Sequence, residues 1–154
     1  MALCKIYGVG VDIAYIPRFV RTFDKFGDRF LQRAYHPEEV KEFYRKSAES
    51  RYVFLASRWA VKEATYKAFR QFRVQFPEIR VVRDKLRGDD SDDDTSSMAI
   101  SHSTVAPRLV FSGETKALAA KLALAEPQVS LSHDGDYAIA HVIMEQEVKQ
   151  SDGE

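Results

Sequence analysis

The sequence predicts an α+β domain in which a mostly antiparallel sheet packs on one long central helix. Three observations carry that reading. Five short apolar segments alternate like strands: "KIYGVGVDI", "EIRVVRD", "PRLVFSG", "QVSLSH" and "YAIAHVIME". A stripe of small residues, Val53, Ala56, Ala60, Ala64 and Ala68, repeats at helical spacing through the longest segment between strands. The order of elements, β–α–α–α–β–β–α–β–β, has none of the regular βαβ alternation of a parallel sheet. With 154 residues, the chain is expected to form one domain over residues 1–148, with an acidic insertion at about 86–104 and a frayed tail at 149–154.

The first strand, "KIYGVGVDI", turns Tyr7, Val9, Val11 and Ile13 to one face and Ile6, Gly8, Gly10 and Asp12 to the other. Asp12 therefore shares a face with two glycines, whose missing side chains leave room for another backbone or a bulky ligand to approach. Pro17 suits the first turn of a helix that Gly27 would end. Phe19, Phe23 and Phe26 lie at helical spacing there, beside a basic face of Arg18, Arg21 and Lys25. Pro37, Glu38 and Glu39 read as the first turn of a short helix, its carboxylates near the positive end of the dipole. The long helix is expected from about Ser50 to Phe72, and the alanine stripe invites close packing on it. Beyond Pro77 come a strand, the Ser- and Asp-rich stretch around "GDDSDDD", a second strand, the short helix "ETKALAAKLAL", and two strands joined at "DGD", a hairpin signal.

Composition excludes several classes. No apolar run approaches the ~20 residues that span a bilayer. The opening "MALCKIYGVGVDI" lacks the pattern of a signal or transit peptide, so the chain is expected to be mature or imported without a visible tag. Cys4 is the only cysteine, which rules out an internal disulfide and a cysteine metal cluster, and fits a reducing compartment. Formal net charge is zero, yet residues 1–80 hold 16 Lys/Arg against 9 Asp/Glu and residues 81–154 hold 7 against 14. A basic first half attracts phosphates or an acidic partner, whereas neutral net charge and an acidic second half make a poor nucleic-acid footprint. There is no Walker loop, no Gly-rich fingerprint opening a helix and no nucleophile elbow.

Chemistry concentrates in "WAVKEATYKAF". Glu63 and Lys67 stand at i and i+4, and Arg58 and Lys62 form a second such pair. A surface ion pair is the plain explanation, but Leu55, Trp59 and Tyr66 on the same side enclose Glu63, and an enclosed carboxylate needs a cation, either Lys67 or a metal. Asp12 is either a strand-end turn aspartate or the second carboxylate of a phosphoryl-transfer site. Such a site uses one or two carboxylates for Mg²⁺ and Lys/Arg for the remaining charge. Among the histidines, His133 closes a strand at a turn.

In the order "YGVGVDI" with Arg18 after it, "KFGDRFLQR", "HPEE", "FLASRWAVKEATYKAF" and "VSLSHDGDYAIAHVIME", the chain resembles the short, single-domain holo-acyl-carrier-protein synthases of the 4′-phosphopantetheinyl transferase superfamily. The blocks span Tyr7 to Glu145, and "GVDI" followed by "RWAVKEA..KA" is the specific combination. The resemblance implies the 4′-phosphopantetheinyl transferase fold. It also implies transfer of the phosphopantetheine arm of coenzyme A to a serine of an apo acyl carrier protein, releasing adenosine 3′,5′-bisphosphate. Asp12 and Glu63 would hold Mg²⁺, and Lys67 would contact the pyrophosphate. Arg58 and His133 would border the coenzyme A phosphates with Lys62 as a further cation, and the segment Ala106–Pro107 would lie beside the adenine. Arg18, Arg21, Lys25, Arg29 and Arg33 would dock the acidic carrier. Either Glu63 or a water held by the metal would take the serine proton. The resemblance further implies a homotrimer with the site between subunits, so that Arg108 or His133 comes from a neighbour.

Two departures stand out. Where many relatives carry a Gly-rich turn after the "KEA" helix, this chain reads "RQFRVQFPEIR", and its acidic insertion is longer. A cytoplasmic location is expected, with the mitochondrial matrix as the second. The competing function is a non-catalytic module that binds acidic carrier proteins or nucleotides.

Overall fold

The computed structural model describes residues 3–83 and 106–148. The acidic insertion and the tail expected from the sequence lie outside those residues. The described chain runs β1 (Leu3–Tyr15), α1 (Ile16–Phe26), α2 (Asp28–Ala34), α3 (Pro37–Arg45), α4 (Arg51–Ala68), a 3₁₀ turn (Phe76–Glu78), β2 (Ile79–Arg83), β3 (Pro107–Phe111), α5 (Gly113–Lys121), β4 (Gln128–Asp134) and β5 (Tyr137–Val148). All described pairings are antiparallel, in a three-stranded sheet ordered β1-β5-β4 and a separate β2-β3 ribbon. The expected α+β architecture is present, with one helix more than the sequence reading gave.

That extra helix is α2. Gly27 ends α1 in a positive-φ conformation (53°), as its position suggested, but its carbonyl then accepts from Phe30 N at 3.1 Å and a new helix begins at once. The long helix stops four residues before the expected Phe72. Arg70 adopts φ 61°, a left-handed conformation that no helix can continue through.

Helix α4 lies across β1 and β5, and residue volume explains how closely. Ala56, Ala60, Ala64 and Ala68 are fully buried on one side, facing Ala138, Ala140, Val142 and Met144 of β5 and the glycines of β1. A methyl group on Gly8 would lie 2.0 Å from the Ala68 carbonyl oxygen, and one on Gly10 would lie 1.7 Å from that of Ala64. Backbone meets backbone there, which only Gly against Ala permits.

The alternation of β1 holds from Gly8 onward, with Gly8, Gly10 and Ala14 buried and Val9, Val11 and Ile13 exposed. It fails at Ile6, expected on the glycine face but exposed, because the register with β5 shifts between Ile6 and Gly8. The "DGD" signal is the β4-β5 hairpin, closed by the pair Asp134 and Tyr137. Its Asp136 carbonyl accepts from Ile16 N at 2.7 Å, tying the start of α1 to the sheet edge.

Candidate active site

Asp12 and Glu63 come together because β1 and α4 touch without side chains between them. Asp12 follows Gly10 by two residues on the inward face of the strand, and Glu63 precedes Ala64, the residue whose carbonyl Gly10 approaches. The Glu63 carboxyl is pushed above its ordinary range by partial burial first and by the negative charge of Asp12 second; Lys67 and Arg18 offset this in part. Lys67 donates to Val11 O at 2.8 Å and to Asp12 Oδ1 at 3.1 Å. The helical spacing suggested Glu63 as its partner; the structure gives it Asp12, because β1 brings a carboxylate and a carbonyl closer than the helix neighbour. Glu63 forms no ion pair among the described residues. Lys67 keeps half of its side chain open to solvent, free to meet an incoming anion as well.

Two neighbouring carboxylates could hold Mg²⁺, while the half-exposed lysine could meet a phosphate oxygen beside it. No cluster of three metal-ligating side chains occurs among the described residues. Mg²⁺ needs only one or two carboxylates when water and phosphate oxygens complete its octahedron.

On another side of α4, Arg58 and His133 of the same chain line one cleft. With them are Lys46 and Arg83, which sequence reasoning missed, and Glu42, Ser50, Ser57 and Phe54; the cleft holds about 570 Å³. Arg58 is buried, its guanidinium 4.6 Å from the Phe54 ring, and its Nε has no hydrogen-bond partner. Pro107 pairs opposite Arg83, a lining residue of this cleft, in the β2-β3 register but does not itself line it. Arg108 does not converge on it. Its Nε is 2.6 Å from Glu126 Oε1, and it lines a different hollow with Leu109, Phe111 and Leu124.

Lys62 requires a correction. It is completely buried, its ammonium 2.7 Å from Glu39 Oε2, and it donates to Phe76 O at 3.0 Å and to Ile79 O. Enclosed on every side, it cannot reach a phosphate in this arrangement and instead ties α4 to α3 and β2. Burial pulls its pKa down, against the opposing pull of Glu39. Glu39 also accepts from Val81 N at 3.3 Å and, through a capping box with His36, from His36 N at 3.1 Å. The sequence cue for Glu39 was its place three residues after His36 at a helix start.

The basic residues Arg18, Arg21, Lys25, Arg29 and Arg33 are all exposed along α1 and α2. Arg29 and Arg33 border a groove with Thr22, Phe26 and Phe30, in which Phe26 is half exposed. Arg18 stacks 5.9 Å over Trp59, one helical turn before Glu63, so the basic face reaches the carboxylate pair.

The family model of the 4′-phosphopantetheinyl transferase superfamily (ACPS) matches residues 8–142, which include Asp12, Arg58, Glu63, Lys67 and His133. The chain belongs to that superfamily.

Within the 4′-phosphopantetheinyl transferase superfamily the chain is an enzyme of the holo-acyl-carrier-protein synthase group. It is 36% identical over 140 residues to the holo-[acyl-carrier-protein] synthase of Nitratidesulfovibrio vulgaris (strain DP4), covering 91% of this chain and 98% of that one. The structure superposes on the crystal structure of the Neisseria meningitidis holo-[acyl-carrier-protein] synthase with a TM-score of 0.73 at 26% identity, over 91% of this chain and 98% of that chain. It superposes on a coenzyme A complex of the Chronobacterium ammoniagenes enzyme with a TM-score of 0.66 at 28% identity, over 92% and 98%. Among the described residues no helix is long and apolar enough to cross a membrane. Nothing in these relatives supports the mitochondrial alternative.

Proposed function

We propose that this protein carries the 4′-phosphopantetheine arm from coenzyme A to a serine hydroxyl of an apo acyl carrier protein, in a Mg²⁺-dependent reaction that releases adenosine 3′,5′-bisphosphate. The observation that carries the reading is the meeting of Asp12, Glu63 and Lys67 at the glycine–alanine contact of β1 and α4. Asp12 and Glu63 would hold the metal, which when bound neutralises pyrophosphate oxygens. Lys67, anchored on Asp12 and half open, contributes a positive charge toward the pyrophosphate and the leaving bisphosphate. Glu63 or a water held at the same site would take the serine proton. Transfer at phosphorus asks for in-line positioning and charge neutralisation more than for a covalent enzyme intermediate.

Arg58 and His133, with Lys46 and Arg83, supply a basic cleft for the remaining phosphate of coenzyme A, and Pro107, paired opposite Arg83, borders the adenine. Arg18, Arg21, Lys25, Arg29 and Arg33 steer and dock the acidic carrier. A homotrimer is supported by the outer sheet face, where Val9, Val11, Ile13 and Ile139 are 40–62% exposed in one apolar patch. In such an assembly Arg108 would act on a neighbour's site. The proposed location is the cytoplasm.

The test is incubation with coenzyme A, Mg²⁺ and an apo carrier protein, read by mass spectrometry of the carrier. The expected outcome is a gain of about 340 Da, abolished by Glu63→Gln without loss of fold, because the charge of a metal ligand is gone. Coenzyme A binding with no mass gain on any carrier, independent of Mg²⁺, would establish the non-catalytic module instead. Native mass spectrometry reads the trimer separately.

A further inference from the structure

We infer that Glu42 is a resident counter-ion in the basic cleft, and that its carboxylate limits how tightly phosphate-bearing ligands are held there. The inference rests on the transferase reading for the identity of that ligand. It starts from two rungs between α3 and α4. In the first, Glu39 and Lys62 sit 2.7 Å apart with both side chains 1% exposed. Further hydrogen bonds complete that rung on all sides. Three residues along α3 and four residues back along α4 stands the second rung, Glu42 with Arg58, at 4.0 Å and with Glu42 42% exposed. The same two helices and the same kinds of charge give one closed contact and one loose contact.

The loose rung opens onto the cleft. Arg58 is 95% buried, with Nε unpartnered, and Lys46 Nζ stands 3.3 Å from the same Glu42 oxygen. Arg83 and His133 complete the basic lining, and Glu42 is the only carboxylate among the described residues that line it. Burial works against the charge of Arg58, and Glu39 and Glu42 restore part of it. Glu42 therefore does two opposed things for a phosphate entering the cleft. It orients Arg58 and Lys46, and it places a like charge beside the anion.

Magnitudes decide between them. Orientation through a half-exposed ion pair changes an equilibrium by less than about fivefold. Repulsion between a carboxylate and a phosphate dianion sharing two cations, in a partly enclosed site, exceeds that and is on the order of tenfold or more. Repulsion wins, so Glu42 loosens the hold on a phosphate and the bisphosphate product leaves readily.

The experiment is a calorimetric titration of adenosine 3′,5′-bisphosphate into the full chain, comparing wild type with Glu42→Gln and Glu42→Asp. Gln keeps the shape and can still accept from Lys46. The expected result is about tenfold tighter binding by Glu42→Gln, an intermediate gain for Glu42→Asp, and a gain that shrinks as salt is added. Adenosine, which has no phosphate, should bind the three proteins alike. Bisphosphate binding by Glu42→Gln that equals or falls below wild type, with both folded by thermal melt, overturns the inference. If wild type and both variants all fail to bind the bisphosphate, the transferase reading fails and this inference with it.

Discussion

A single methyl group on Gly10 is expected to damage catalysis more than stability. The Cβ of Gly10→Ala would stand 1.7 Å from Ala64 O, 2.6 Å from its carbonyl carbon and 3.1 Å from its Cα. Ordinary contact begins at 3.4 Å, and every clashing atom is backbone, so no side chain can turn away. Strand and helix must separate by more than about 1 Å. Overpacking of this kind costs about 1–3 kcal/mol. For a chain of this size that is a fall in melting temperature of about 2–12 °C. The carboxylates experience the same displacement at closer quarters, since Asp12 is two residues from Gly10 and Glu63 is adjacent to Ala64. A misplacement of about 1 Å at a reacting centre lowers the rate on the order of 100-fold. The assay is arm transfer to an apo carrier at a temperature where thermal melting shows the variant folded, with Mg²⁺ varied. A Gly10→Ala protein with wild-type turnover and Mg²⁺ requirement would refute the reasoning, because the close approach would then have nothing to do with the carboxylate pair.

Three further outcomes are expected. Lys62→Met should lose about 3–5 kcal/mol in urea unfolding by leaving Glu39 buried and unpaired, and Glu39→Leu added to it should restore part of that loss. His36 accepts from Glu38 N through Nδ1, and burial first, with Arg80 second, holds its pKa below its ordinary 6.5. Its contribution to stability is therefore complete above 6.5 and is lost as pH falls through the depressed folded value, because the unfolded chain takes up the proton first. Unfolding midpoints measured from about pH 7.5 down to 5 should fall more for wild type than for His36→Asn, whose cap does not titrate. Arg70→Gly should raise the melting temperature by relieving a left-handed non-glycine residue, worth about 1 kcal/mol less whatever its contact over the Tyr7 ring supplies. An unchanged or lower melting temperature would show that the ring contact outweighs the strain.

Much of the site was legible along the chain. The glycines beside Asp12 and the alanines around Glu63 announced a close contact of strand and helix, because side-chain volume is a local property that sequence states directly. Gly27 was read correctly as a helix end and not as the start of α2, since a glycine permits both and only the packing of Leu31 and Ala34 selects one. Pro37 marked α3, and the hairpin turn marked itself.

Which charge meets which was decided elsewhere. Spacing along α4 offered Glu63 to Lys67 and paired Lys62 with Arg58, which the family resemblance placed near phosphate. The approach of β1 gave Lys67 to Asp12 and left Glu63 without an ion pair among the described residues. The approach of α3 and β2 closed Lys62 over Glu39 and left Arg58 open to the cleft with Lys46, Arg83 and His133. The sequence by itself determined the fold class and the packing faces of strand and helix, which follow from periodicity and volume within an element. The tertiary structure alone decided the ion pairs, because a long charged side chain takes its partner from whichever element comes within reach.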